Sequence, residues 1–73
     1  METKKRINKK MALTKRECQL IESIAGGFND YETGERLGLG TQTIRVLVNV
    51  ILKKTETNNR PQLIYWAVKN GVI

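Results

Sequence analysis

The sequence predicts an all-α fold, a compact four-helix domain with a central helix-turn-helix. Three observations predict it. Apolar residues recur at the three- and four-residue spacing of helical faces, with no strand-like alternation. Two cap-and-glutamate starts, Thr14 with Glu17 and Asn29 with Glu32, are separated by Gly26-Gly27. Leu37-Gly38-Leu39-Gly40 then sets a short turn ahead of the longest periodic segment. A chain of 73 residues makes one domain, and at that size only about 60% of the unfolded surface is buried. A second copy of the chain would help to stabilise so small a core.

Residues 1–12, METKKRINKKMA, are cationic and too poor in large apolar groups to order themselves. They are expected to form a flexible basic arm. It serves either to grip DNA phosphates or the minor groove, or as a solvated leader. The folded domain is expected over 13–73.

The first helix starts at Leu13-Thr14-Lys15-Arg16-Glu17-Cys18. Thr14 can cap the first turn while Glu17 reaches back to the Thr14 amide, and Leu13 and Cys18 take the two positions of a hydrophobic staple. Leu20, Ile21, Ile24 and Ala25 continue an inward face, and Gly26-Gly27 ends the helix. Cys18 is expected to be a buried structural thiol. Phe28 packs ahead of the second start at Asn29, Leu37 is the second helix's clearest buried residue, and Gly38 is a natural left-handed terminator. Gly34 costs about 1 kcal/mol of helix propensity relative to Ala, which points to a close helix approach there.

Residues 41–54 read as the third helix, with Gly40 or Thr41 as its cap. Ile44, Leu47, Val48 and Ile51, extending to Thr55, share one face, while Gln42, Arg45, Val46, Asn49 and Lys53 fall on the opposite side. That outward mix of cationic, amide and small apolar groups suits a base-reading surface. A last helix begins at Arg60-Pro61-Gln62 with Pro61 in its first turn. Leu63, Ile64 and Ala67 point inward, and some of Tyr65, Trp66 and Val68 is left for a neighbour.

Thirteen Lys and Arg against seven Asp and Glu give a net charge of +6, which favours polyanions through counterion release. Seven of the thirteen cations lie in the first sixteen residues, so much of the excess belongs to the arm. One cysteine and no histidine remove disulfide frameworks and the usual zinc sites. Neither a membrane span nor a signal-peptide core is present, so a cytoplasmic protein with no membrane association is expected. No nucleophile has an evident base, which argues against an enzyme, and no metal or cofactor is expected.

In order along the chain, Leu13-Thr14-x-Arg16-Glu17, Ala25-x-Gly27, Glu32, Leu37-x-Leu39, Thr43-Ile44-Arg45, Lys54, Asn59-Arg60-x-Gln62, Ala67 and Gly71 resemble the LuxR-type, or GerE-like, helix-turn-helix domain of bacterial transcription regulators. The resemblance covers 13–73. It implies a sequence-specific binder of double-stranded DNA, a homodimer through the last helix. Position by position it places base reading on Arg45, Val46 and Asn49 and backbone contacts on Thr43, Lys53 and the start of the second helix near Asn29; Gln42 and Lys54 are further backbone candidates, and Gln62, Tyr65, Trp66 and Lys69 are the candidate residues for the dimer interface on the last helix. Thr33, Gly34, Gly40, Leu47 and Thr55 depart from the family's usual residues; Thr33, Gly40 and Thr55 suggest a softer domain, while Leu47 strengthens the inward face. Most such domains follow a receiver or ligand-binding domain. With only twelve residues ahead of it here, the chain is expected to be a free-standing regulator or a fragment of a longer one. The alternative is an interaction module that pairs with another regulator or with RNA polymerase through its last helix.

Overall fold

The computed structural model describes residues 13–73, and the basic arm expected over 1–12 lies outside the described residues. Four helices follow one another: α1 (Lys15–Ala25), α2 (Asp30–Leu37), α3 (Thr41–Thr55) and α4 (Arg60–Lys69), with no strand among the described residues. The all-α expectation holds.

Each start is written in local chemistry. The Thr14 hydroxyl accepts the Glu17 amide at 3.1 Å while the Glu17 carboxylate accepts the Thr14 amide at 2.9 Å. Asn29 and Glu32 repeat the exchange at 2.8 and 2.9 Å. Asn59 caps α4 by accepting the Gln62 amide, with Pro61 in the first turn. Gly40 begins α3 without a side-chain cap, so the first amides of that helix are left to other partners.

The four ends share one device. Phe28, Leu39, Thr57 and Val72 each donate a backbone bond to the carbonyl five residues earlier, on Ser23, Gly34, Leu52 and Ala67. The residue just before each donor is left-handed: Gly27, Gly38, Glu56 and Gly71. This is the six-to-one closure of a helix C-terminus, which needs a positive φ that glycine adopts without Cβ strain. Glu56 adopts it at φ 58°, and α3 runs one residue past the expected 54.

The core is Leu20 and Ile21 of α1, Ile44, Val48 and Ile51 of α3, and Leu63 and Ala67 of α4, with Leu13 sealing one end. Each large aliphatic group removed from water there contributes about 1.5–3 kcal/mol. Several expectations are corrected. Ala25 is exposed, and Ser23 points inward in its place. Leu37 is half-buried, and α2 instead buries Thr33 and Gly34. Cys18 is half-buried against the core, and Phe28 is only 37% exposed, beneath the Arg36 guanidinium 4.3 Å from its ring centre.

The inward placements of Ser23 and Thr33 share a cause. The Ser23 and Thr33 hydroxyls meet at 2.8 Å in the buried seam between α1 and α2, so Thr33 fills an aliphatic position without an unpaired polar group. Thr55 is likewise satisfied, donating to the Ile51 carbonyl and lying 2.9 Å from the Thr57 hydroxyl. At Gly34 the Leu39 carbonyl oxygen occupies the space where a Cβ would stand.

Gly34→Ala is therefore expected to destabilise the domain by about 2 kcal/mol despite alanine's better helix propensity, because backbone must move to admit the methyl group. Gly40→Ser meets open space at an ordinary φ and should gain a few tenths of a kcal/mol through a new cap. Urea unfolding of both variants checks this. A more stable Gly34→Ala protein would contradict the tight turn.

Candidate nucleic-acid interface

The α2–turn–α3 unit sets the orientation of α3. Its inner face, Ile44, Val48, Ile51 and Thr55, is buried. Its outer face therefore follows from the helical repeat: Gln42, Thr43, Arg45, Val46, Asn49, Val50 and Lys53 are all exposed. Val46 is 51% exposed, an apolar group held out in solvent between Arg45 and Asn49. α3 has no acidic residue.

The rest of the domain is less cationic than the net charge suggests. Residues 13–73 hold eight Lys and Arg against six Asp and Glu, and part of that charge is internally matched. Lys54, expected at phosphate, is placed differently: its ammonium donates at 2.9 Å to both oxygens of Glu17, whose side chain is only 8% exposed. Glu17 thus caps α1 and ties it to the end of α3. Lys53, one position earlier, faces outward on the α3 surface.

Asp30, the first residue of α2, accepts Arg60 Nη1 on Oδ1 at 2.7 Å and Arg60 Nη2 on Oδ2 at 3.2 Å. Arg45 Nε approaches the same Oδ2 at 3.4 Å. Sequence reasoning gave neither Asp30 nor Arg60 a role. The pair is separated by thirty residues and has no local spacing signal; only the shared placement of both residues at helix starts could have hinted at it. The Arg60 hydrogen bonds, partly opposed by burial, hold the Asp30 carboxyl below its ordinary value of 3.8.

Asn29 is exposed beside this cluster with its side-chain oxygen engaged as the α2 cap. Gln42 and Thr43 lie in the first turn of α3, where Gly40 leaves the amides without a side-chain acceptor. Such a turn carries the positive end of the helix dipole and favours an anion.

The α4 residues fall on another surface. Tyr65 is 65% exposed with Lys69 stacked over its ring at 5.6 Å. Trp66 is half-buried against the core. With Gln62, Thr55, Thr57 and Asn70 they line an open groove between the end of α3 and α4. Gln62 also accepts the Asn58 amide at 2.9 Å. Among the described residues no cluster of Cys, Asp and Glu could hold a metal ion, and no helix is long and apolar enough to cross a membrane.

Comparison with known proteins places this arrangement. The model of the family described as bacterial regulatory proteins, luxR family, matches residues 11–67. The transcriptional regulatory protein DegU of Brevibacillus brevis is 34% identical over 59 residues, covering 81% of this chain and 25% of DegU. The transcriptional regulatory proteins DesR and LiaR of Bacillus subtilis are 34% and 32% identical, over 81% and 85% of this chain and 30% and 29% of their own lengths. The chain thus spans between a quarter and a third of these relatives. No solved structure matches it at the same stringency.

Two expected outcomes follow from the ion pairs. Asp30 has a depressed folded-state pKa, so its pairing stabilises the fold above the unfolded value near 3.8 and that contribution is lost as pH falls through the lower folded value. The stability difference between wild type and Asp30→Asn should be constant at neutral pH and shrink toward zero in strong acid. Urea midpoints measured down the pH scale test this. Lys54→Ala should destabilise by about 2 kcal/mol, since it leaves the covered Glu17 carboxylate without its cation, whereas Lys53→Ala should leave the urea midpoint unchanged.

Proposed function

The chain belongs to the luxR family of bacterial regulatory proteins, and from that membership we propose that residues 13–73 form a sequence-specific, double-stranded-DNA-binding domain of a transcription regulator. α3 enters the major groove. The observation that carries this reading is the outward face of α3, free of acidic groups, with Arg45, Val46 and Asn49 exposed together on a helix whose other face is locked into the core.

The roles follow from chemistry. Arg45 can donate a bidentate pair to guanine O6 and N7, Asn49 can pair with adenine, and Val46 can pack on a thymine methyl group. Gln42, Thr43, Lys53 and the uncapped first turn of α3 hold phosphates and fix register, with Asn29 at the edge of the same surface. Lys54 acts chiefly as the partner of Glu17. Residues 1–12 add sequence-independent attraction through five cations.

Two copies pair through α4, with Tyr65 and Trp66 supplying the apolar contact and Gln62 and Lys69 its polar rim. Such a dimer places two α3 helices on half-sites about one helical turn apart. The protein acts in the cytoplasm, without cofactor or catalysis. The same exposed Tyr65 supports a second reading, in which α4 docks on another regulator or on RNA polymerase.

Binding to a duplex obtained by in vitro selection and to a random duplex, at one salt concentration, separates the roles. Arg45→Ala should weaken selected-site binding by about 1–3 kcal/mol and relax preference at one base pair. Lys53→Ala should weaken both duplexes alike and reduce the salt slope by about 0.9. Equal losses on both duplexes from both variants would reduce α3 to a charged surface and contradict base reading. Absence of binding at low salt, with capture of a regulator instead, would favour the docking reading.

A further inference from the structure

We propose that Asp30 is a positioning residue for the base reader Arg45, with Arg60 holding the carboxylate in place. This rests on the assignment of Arg45 as a base reader.

The geometry has a fixed side and a free side. Arg60 grips Asp30 with both terminal nitrogens, at 2.7 and 3.2 Å, one on each carboxylate oxygen. A two-point grip sets the plane of the carboxylate as well as its position. Asp30 is the first residue of α2 and Arg60 the first of α4, so the pair is anchored by the backbones of two helices packed on the core. The Asp30 side chain is 17% exposed. Arg45, by contrast, is 61% exposed and reaches the cluster only through Nε, 3.4 Å from Oδ2.

That single contact matters because of which nitrogen makes it. A guanidinium carries five N–H donors in a planar fork. Engaging Nε toward Asp30 uses the side edge of the guanidinium and leaves its end-on pair, one N–H on each terminal nitrogen, unspent. Those are the donors an end-on bidentate contact with guanine O6 and N7 uses. A long, solvent-exposed side chain restrained before DNA arrives also loses less rotamer freedom on binding. Asp30, held below its ordinary value of 3.8, is ionised at neutral pH, so the acceptor is present when it is needed.

A carboxylate beside the base reader has a second effect. It repels phosphate and lowers attraction to DNA of any sequence. Removing its charge should therefore move two quantities in opposite directions: discrimination falls while affinity for random DNA rises. Loss of folding would lower both.

The test is a double-mutant cycle read at one base pair. Wild type, Asp30→Asn, Arg45→Ala and the double variant are measured on the selected duplex, on the duplex changed at the base pair where Arg45→Ala relaxes preference, and on a random duplex. Asp30→Asn should lower discrimination at that base pair by about fivefold, raise random-duplex affinity, and have no further effect on discrimination in the Arg45→Ala background. Arg60→Lys keeps the charge and loses the two-point grip, so it should reduce discrimination at the same base pair; it also serves if Asp30→Asn fails to fold. The proposal is overturned if both folded variants keep wild-type discrimination where Arg45→Ala loses it, or if Asp30→Asn costs as much with Arg45 absent. Unchanged discrimination in Arg45→Ala at every base pair would instead remove the base-reader assignment itself, and the positioning role with it.

Discussion

A missing methyl group at residue 34 is the constraint on which the rest of the structure depends. The Leu39 carbonyl sits where a Cβ of residue 34 would be, and the Leu39 amide closes α2 by bonding to the Gly34 carbonyl at 2.8 Å. The chain can therefore leave α2, turn through left-handed Gly38 and start α3 at once. Because α3 is packed against the core along Ile44, Val48 and Ile51, that turn sets which residues it shows to solvent. A shift of one residue in the register would rotate Arg45 by about 100°.

The core is small, and three polar links add direction to its non-directional packing. Ser23 with Thr33 joins α1 to α2, Glu17 with Lys54 joins α1 to α3, and Asp30 with Arg60 joins α2 to α4. Aliphatic contacts tolerate sliding, whereas a hydrogen-bonded pair at 2.7–2.9 Å does not. Thr33 and Thr55 suggested looseness in isolation; with both hydroxyls partnered they act as fixed points instead.

The parts of the fold legible in the sequence were those governed by near neighbours. Thr14 with Glu17 and Asn29 with Glu32 state their helix starts within three residues, and Gly27, Gly38 and Gly71 state three of the four left-handed ends. Glu56 does the same at the fourth end, but glutamate has no preference for that conformation, so nothing in the sequence announced it. The outward face of α3 was readable from its period. The tethers on that face were not: Lys54 reads as one more surface cation until Glu17 is found across 37 residues, and Asp30 reads as a first-turn acid until α4 brings Arg60 to it. Ser23 was hidden for the same reason, since its inward position depends on Thr33.

The link from fold to function is that a rigid support presents a short row of base-competent side chains. Lys54 and Arg60 draw part of the domain's positive charge inward, and Arg45 and Lys53 remain on the surface that would face a duplex. Charge alone would make such a surface bind any sequence; the row Arg45, Val46 and Asn49 supplies what charge lacks. The most direct measurement of this account is the ratio of wild-type affinities for an in vitro selected duplex and a random duplex at the same salt concentration. A ratio of about 10³ or more is predicted, and a ratio near one would contradict it.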